Sequence, residues 1–202
     1  MTKHFRLILV LTVCSIAVSL NFLPRISAET FSGSVANDTI TGTPSQDTIN
    51  AEGGNDTLIG LEGNDIINGG LGYDNITGSQ GRDVLSGGTG NDFINGGSGD
   101  DELTGDRGND IVDGDEGDDF VYGGVGKDTL SGREGSDLIF GGPGIDSIFG
   151  GPGHDVFDCG LGRDSLMDFN ELEGDFARDN CEMSNGPTAN MTSNVTATSA
   201  TG

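Results

Sequence analysis

Aspartate recurs at a fixed spacing of nine residues through most of the 202-residue chain. Two residues after each of these aspartates stands an apolar residue, and two residues before it stands glycine, from Gly54 through Gly162. If the chain stacks its repeats, the carboxylates come into register, and closely spaced carboxylates bind hard cations. The fifteen candidate ligands are Asp38, Asp47, Asp56, Asp65, Asp74, Asp83, Asp92, Asp101, Asp110, Asp119, Asp128, Asp137, Asp146, Asp155 and Asp164.

The same repeat predicts the elements that position these carboxylates. Each glycine-rich run of six residues tolerates positive φ and close backbone approach, so it predicts a turn. The next three residues predict a very short strand in which only the central side chain points inward. Because one inward side chain per strand cannot form a core, the strands must stack in parallel, each on the strand 18 residues further on. The inward residues are Ile40, Ile49, Leu58, Ile67, Ile76, Leu85, Ile94, Leu103, Val112, Val121, Leu130, Ile139, Ile148, Phe157 and Leu166.

Parallel stacking places each aspartate about 4.8 Å from the next one in its column. Like charges at that spacing repel one another, so we expect a cation between each stacked pair. Carboxylate and carbonyl oxygens favour Ca²⁺, which accepts six to eight such ligands. One column begins at Asp38 with eight members and the other at Asp47 with seven, so the intervals between them allow at most thirteen Ca²⁺ sites.

Several repeats fit the nonapeptide G-G-x-G-x-D-x-U-x at every fixed position. Residues 33–167 therefore resemble the calcium-binding repeats of RTX (haemolysin-type) proteins. The resemblance implies an all-β fold, a right-handed parallel β-roll of about seven two-strand turns with a C-terminal cap. It also implies that Asp carboxylates and loop carbonyls bind calcium between loops. The fitting runs open at Gly69, Gly87, Gly96, Gly123, Gly141 and Gly150.

The first loops depart from the RTX pattern. Ser34 and Thr43 stand where the pattern has glycine, and so do Ala36, Ser45 and Ala51. We therefore expect the poorest calcium sites near the first two aspartates of the repeat.

The composition excludes several classes of function. The formal net charge is -24, which disfavours nucleic-acid binding because a phosphate backbone attracts Lys and Arg. Only 6% of the residues are aromatic and 37 are Gly, too few large side chains for an ordinary enzyme core. The chain has only two histidines, His4 and His154, and no H-E-x-x-H, G-x-S-x-G or Walker motif. We predict a calcium-binding protein without catalytic activity.

The N-terminal segment has the pattern of a signal peptide. Lys3 and Arg6 precede an apolar stretch from Leu7 to Phe22, and Ile26-Ser27-Ala28 is typical of a cleavage site. The alternative is an uncleaved membrane anchor, although the stretch is shorter than the roughly 20 residues a span needs. We predict cleavage after residue 28 and a secreted or surface-retained protein without a membrane segment. Because residues 1–28 contain three basic residues and no acid, the formal net charge of residues 29–202 is -27.

Cleavage would leave two cysteines, Cys159 and Cys181. In an exported chain such a pair favours a disulfide, the alternatives being free thiols or a metal pair. The predicted organisation is a signal peptide at 1–28, a β-roll at 29–167, a disulfide-pinned cap at 168–183 and a disordered polar tail at 184–202.

Five outward positions on three successive strands are apolar. They mark a partner surface, or else the C-terminal cap covers them with Phe169, Leu172 and Phe176. A partner surface would favour a second function, a cell-surface or matrix protein that binds a protein or surface partner through this face. The candidate partner patch comprises Phe120, Tyr122, Leu138, Phe140 and Val156.

Overall fold

The computed structural model describes residues 27–178 and 180–183, and every regular element in this part of the chain is a β-strand. The rest of the predicted signal peptide and the predicted tail lie outside the described residues. No helix in the described ranges is long and apolar enough to cross a membrane. The strands are β1 Thr30–Ser34, β2 Thr39–Thr41, β3 Thr48–Glu52, β4 Thr57–Glu62, β5 Ile66–Leu71, β6 Asn75–Gln80, β7 Val84–Thr89, β8 Phe93–Ser98, β9 Glu102–Arg107, β10 Ile111–Glu116, β11 Phe120–Val125, β12 Thr129–Glu134, β13 Leu138–Phe140, β14 Pro143–Gly144, β15 Ser147–Phe149, β16 Val156–Asp158, β17 Leu161–Gly162, β18 Ser165–Leu166, β19 Phe176–Ala177 and β20 Glu182–Met183.

Eighteen of the twenty strands in the described ranges form two nine-stranded parallel sheets, which confirms the predicted parallel solenoid. The other two, β14 and β17, pair in a separate two-stranded parallel sheet. Sheet A has the order β1-β3-β5-β7-β9-β11-β13-β16-β19, and sheet B has the order β2-β4-β6-β8-β10-β12-β15-β18-β20. Within the repeat each residue pairs with the residue 18 positions on, as Leu85 does with Leu103. The chain therefore alternates between the sheets every nine residues. We call each strand with the loop before it a rung.

A single row of apolar side chains fills the space between the sheets. The inward residues from Ile49 to Leu166 are no more than 1% exposed, as the spacing predicts. Each such side chain contributes about 1.5–3 kcal/mol through burial. At the N-terminal end Phe31 and Ile40 are only partly buried, because β1 and β2 are the first strands of their sheets in the described part of the chain.

Both ends of the solenoid extend beyond the regular repeat. At the start, β1 pairs with β3 and places Phe31 beside Ile49, so residues 30–34 form an extra rung. At the other end β19 pairs with β16, where Ala177 lies beside Phe157 and takes the inward position. The predicted disulfide between Cys159 and Cys181 is present, with 5.2 Å between the Cα atoms.

The C-terminal strands are shorter than the central ones. Strands β4 to β12 have six residues each, whereas β13 to β20 have two or three. Pro143 begins β14 and Pro152 lies in a loop of this region, and proline cannot donate a ladder hydrogen bond. The disulfide thus joins two residues in the part of the solenoid where the strands are short.

The alternation of inward and outward residues predicts different costs for neighbouring substitutions. Replacing Ile94, which is fully buried, with Ala (Ile94→Ala) should lower the free energy of unfolding by about 2–5 kcal/mol, because a cavity remains. Phe93 points outward, and Phe93→Ala should cost under about 1 kcal/mol. Denaturant unfolding in calcium-containing buffer measures both, and equal losses would contradict the assigned orientation.

Candidate metal-binding site

The repeat aspartates form two hydrogen-bonded ladders, one in each column. The backbone N–H of each aspartate donates to Oδ1 of the aspartate 18 residues on, as from Asp83 to Asp101 at 2.7 Å. Thirteen such bonds of 2.7–2.9 Å connect Asp38 to Asp164 and Asp47 to Asp155. The structure thus brings all fifteen predicted residues into the two expected columns. Each of these acceptor carboxylates therefore points toward the aspartate 18 residues earlier in its column.

The second oxygen of most of these carboxylates has no partner. Thirteen Oδ2 atoms are buried without a hydrogen bond, and the residues that carry them are at most 3% exposed. A buried oxygen left unpaired destabilises the fold, so each of these atoms needs a cation, a proton or a donor. The thirteen residues are Asp56, Asp65, Asp74, Asp83, Asp92, Asp101, Asp110, Asp119, Asp128, Asp137, Asp146, Asp155 and Asp164.

Glycine is required where the loops approach the carboxylates. A Cβ on Gly96 would meet Oδ2 of Asp101 and would lie 2.7 Å from the carbonyl oxygen of Gly114. Gly90 has a φ of +148°, and a Cβ there would overlap the carbonyl oxygen of Gly72. The loops therefore bring carbonyl oxygens close to the backbone of the neighbouring loop and to the ladders.

The donor set fits a hard cation. No group of three or more His, Cys, Asp or Glu side chains that could hold a metal ion is found in residues 27–178 and 180–183. A cation between two stacked aspartates would take carboxylate oxygens from the ladder and its remaining ligands from loop carbonyls. That all-oxygen set suits Ca²⁺ and is unlike the nitrogen and sulfur ligands of structural zinc sites.

Burial makes the charged ladders unfavourable without a counter-ion. Desolvation, the largest cause, and repulsion from neighbouring carboxylates together raise the pKa of Asp101 and of Asp110 to about 7. The hydrogen bond from the backbone N–H of the aspartate 18 residues earlier lowers these pKa values, but by less than burial raises them. A pKa above the unfolded value stabilises the metal-free fold at low pH, and this stabilisation is lost as the pH rises through about 6 to 7. The same cause raises the pKa to about 6 for Asp83, Asp92, Asp119, Asp137, Asp146 and Asp155.

The first aspartate of each ladder differs from the others. Oδ2 of Asp38 accepts hydrogen bonds from the Ser34 backbone N–H at 2.7 Å and from its hydroxyl at 2.9 Å. Oδ2 of Asp47 accepts the Thr43 N–H at 2.6 Å and its hydroxyl at 2.9 Å. Ser34 and Thr43 replace the glycine of the RTX pattern, so side-chain hydroxyls supply donors at the two first carboxylates.

Asp175, which the nine-residue spacing does not identify, closes the ladder that begins at Asp47. Its Oδ1 accepts the backbone N–H of Asp155 at 3.1 Å, and its Oδ2 accepts that of Asn170 at 2.8 Å. The separation of 20 residues, in place of 18, hides Asp175 from a strict period. The signal that could have found it is the apolar Ala177 two residues later.

A further set of hydrogen bonds runs along the outside of the loops in both columns. The residue just before a ladder aspartate is often Asn or Asp, and its side-chain oxygen accepts the N–H of the residue 18 positions on. Oδ1 of Asn91 accepts from Asn109, and Oδ1 of Asn109 accepts from Lys127, both at 2.8 Å. Seven such bonds of 2.8–3.2 Å brace the loops from residue 37 to residue 136. The recurrence of Asn and Asp at this position could have indicated these hydrogen bonds.

The candidate partner patch is not covered by the cap. Phe169 packs against Phe157 at 6.5 Å between ring centroids, while Leu172 is 99% exposed. Phe176 pairs with Val156 at the end of the patch and is 60% exposed, so it extends the apolar surface.

Comparison with known families agrees with this geometry. No curated protein matches the chain. The family model of the RTX calcium-binding nonapeptide repeat (four copies) matches residues 27–58, 41–76, 59–94, 77–112, 95–130, 104–139 and 131–166. Since these matches together span residues 27–166, well over half of the sequence, the chain belongs to the family of RTX calcium-binding nonapeptide repeat proteins.

Proposed function

We propose that this protein is an exported, non-catalytic calcium-binding β-roll that folds when Ca²⁺ binds between its loops. The observation that carries the proposal is the set of thirteen buried Oδ2 atoms without a partner. Each lies in a column at the strand spacing, where a divalent cation removes both the unpaired oxygen and the repulsion between neighbours.

The hydrogen bonds assign one unpaired oxygen to each interval between two stacked aspartates of a column. Because Asp56 accepts the backbone N–H of Asp38, its carboxylate belongs to the interval between them. The same holds along both columns, so thirteen intervals contain thirteen unpaired oxygens. We therefore assign Asp56 to Asp164 as the carboxylate ligands and leave out Asp38 and Asp47, whose Oδ2 atoms already have donors.

The charge supports nearly full occupancy. Thirteen Ca²⁺ carry +26, close to the opposite of the -27 expected for residues 29–202. Without that compensation the metal-free chain has one inward side chain per rung to offset its conformational entropy and its carboxylate repulsion. Metal binding then becomes part of the folding free energy.

Two features support export. The N-terminal segment has the basic, apolar and small-residue regions of a signal peptide. The Cys159–Cys181 disulfide suits an oxidising compartment outside the cytosol.

Adjacent aspartates allow a matched test of the ligands. Asp101→Asn removes a charge from the ladder, whereas Asp100→Asn removes the same charge and keeps an oxygen that can accept the N–H of Asp118. We expect Asp101→Asn to raise the calcium concentration at the folding midpoint severalfold, because a ligand oxygen is replaced. Asp100→Asn should change it little. Circular dichroism during calcium titration measures both, and equal shifts would argue against a ligand role for Asp101.

The first aspartate of the ladder that begins at Asp47 offers a separate test of the assignment. Asp65→Asn should lower the number of bound Ca²⁺ ions, because Oδ2 of Asp65 is unpaired. Asp47→Asn should leave that number unchanged, since Thr43 already donates to Oδ2 of Asp47. Native mass spectrometry counts the ions, and loss of an ion in Asp47→Asn would show that this carboxylate binds calcium.

A further inference from the structure

The backbone hydrogen bonds extend the ladder that begins at Asp47 back by one member, to Glu29. Glu29 stands 18 residues before Asp47, and its backbone N–H donates to Oδ1 of Asp47 at 2.8 Å. The same kind of bond joins Asp47 to Asp65 at 2.7 Å and recurs along both columns. The carbonyl oxygen of Glu29 accepts the N–H of Thr48 at 2.9 Å. Both backbone groups of Glu29 are therefore held by residues 47 and 48.

The two residues before Glu29 are not held in this way. Ser27 and Ala28 are exposed, and no hydrogen bond joins either of them to the rest of residues 27–178 and 180–183. The sequence predicts signal-peptide cleavage directly after Ala28. The regular hydrogen bonding of the described chain thus begins at the residue that cleavage would make the first of the mature protein.

Cleavage changes the donor that Asp47 receives. In the uncleaved chain the nitrogen of Glu29 is a neutral amide, whereas in the mature chain it is an α-ammonium that is positively charged at neutral pH. Asp47 is 1% exposed, and its other donors, the backbone N–H and the hydroxyl of Thr43, are neutral. A buried carboxylate is stabilised more by a charged donor, because charge-assisted hydrogen bonds are shorter and stronger than neutral ones.

The interval between Glu29 and Asp47 differs from the intervals between stacked aspartates. Each of those contains an unpaired Oδ2, which the proposed function assigns to Ca²⁺. Oδ2 of Asp47 already accepts two hydrogen bonds from Thr43, so this interval offers a metal ion no unpaired oxygen of Asp47. It still contains a buried carboxylate, and a cationic nitrogen 2.8 Å from Oδ1 supplies the opposite charge.

We propose that the α-ammonium formed by signal-peptide cleavage pairs with Asp47 and caps this end of the solenoid in place of a calcium ion. The proposal rests on export, which is part of the proposed function. Glu29 is exposed, so the other two N–H groups of the ammonium stay in water. Removal of the signal peptide therefore adds an ion pair to the ladder and stabilises the first rungs.

The position of the cut is tested on the secreted protein, made from the full chain by an exporting cell. N-terminal sequencing should begin at Glu29 and read Glu-Thr-Phe. A mature chain that begins at any other residue would overturn the ion pair, because the ammonium would then lie away from Asp47. That result would leave calcium binding intact.

One Gly inserted between Ala28 and Glu29 of the full chain tests the pairing itself. After cleavage behind Ala28 the nitrogen of Glu29 is again an amide, and the ammonium lies one residue further out. We expect the melting temperature in calcium to fall by about 2–4 °C, since a charge-assisted hydrogen bond is replaced by a neutral one. Thermal unfolding followed by circular dichroism measures the shift.

The first aspartates of the two columns provide matched backgrounds for this insertion. Oδ2 of each accepts a backbone N–H and a hydroxyl, but Asp47 also receives the nitrogen of Glu29. The inserted Gly should lower the melting temperature of Asp38→Asn as it does that of the wild type. It should have no effect in Asp47→Asn. Equal shifts in the two backgrounds, or no shift in the wild type, would overturn the pairing.

Acetylation provides the same test without a change at Asp47 and replaces the Asp47→Asn arm if that variant does not fold. Lys127 is the only lysine in residues 29–202, so Lys127→Arg leaves the α-amine as the only amine that the reagent modifies. Acetylation should lower the melting temperature of Lys127→Arg and leave that of the same variant with the inserted Gly unchanged. Equal effects in the two would contradict the proposal. Absence of any calcium-induced change in the spectrum would instead contradict the proposed function.

Discussion

The repulsion and desolvation of buried carboxylates at one-strand spacing are the constraint on which this structure depends. A parallel solenoid with one inward side chain per rung has a very thin core, and its loops bury an aspartate in almost every rung. One oxygen of each carboxylate accepts a backbone N–H, which joins rung to rung. The other oxygen is left without a partner in thirteen rungs, and each of these oxygens needs a cation, a proton or a further donor.

The glycine positions, the ladders and the ends follow from this constraint. Glycine lets carbonyl oxygens and carboxylates share the narrow space between loops, where a Cβ on Gly96 would collide with Asp101. At three of the four ladder ends protein donors satisfy the carboxylates directly, whereas Asp164 at the fourth keeps an unpaired Oδ2. Thr43 does so for Asp47, and Asn170 does so for Asp175. The chain thus uses hydrogen bonds at its ends and, in our proposal, calcium along its length.

The strict period made much of this predictable from the sequence. A spacing of nine determines which residue points inward and which aspartates align, so the burial of Ile94 and the register of Asp83 with Asp101 both follow from it. Asp175 escaped prediction because a two-residue insertion changes its phase. The donors from Ser34 and Thr43 escaped because substituted glycines indicate weak sites without showing what replaces the metal. The exposure of the apolar patch depended on the path of the chain after Asp164, where the repeat ends.

Far-UV circular dichroism of the full chain with calcium, and again after a strong chelator, tests most directly whether metal ions replace the missing core. Because the ladders carry thirteen unpaired buried oxygens, we expect a β-rich spectrum in calcium, its loss on chelation and its return when Ca²⁺ is restored. A β-rich spectrum at neutral pH that the chelator leaves unchanged would contradict this. It would mean that the thin apolar core and the backbone ladders are sufficient to hold the fold.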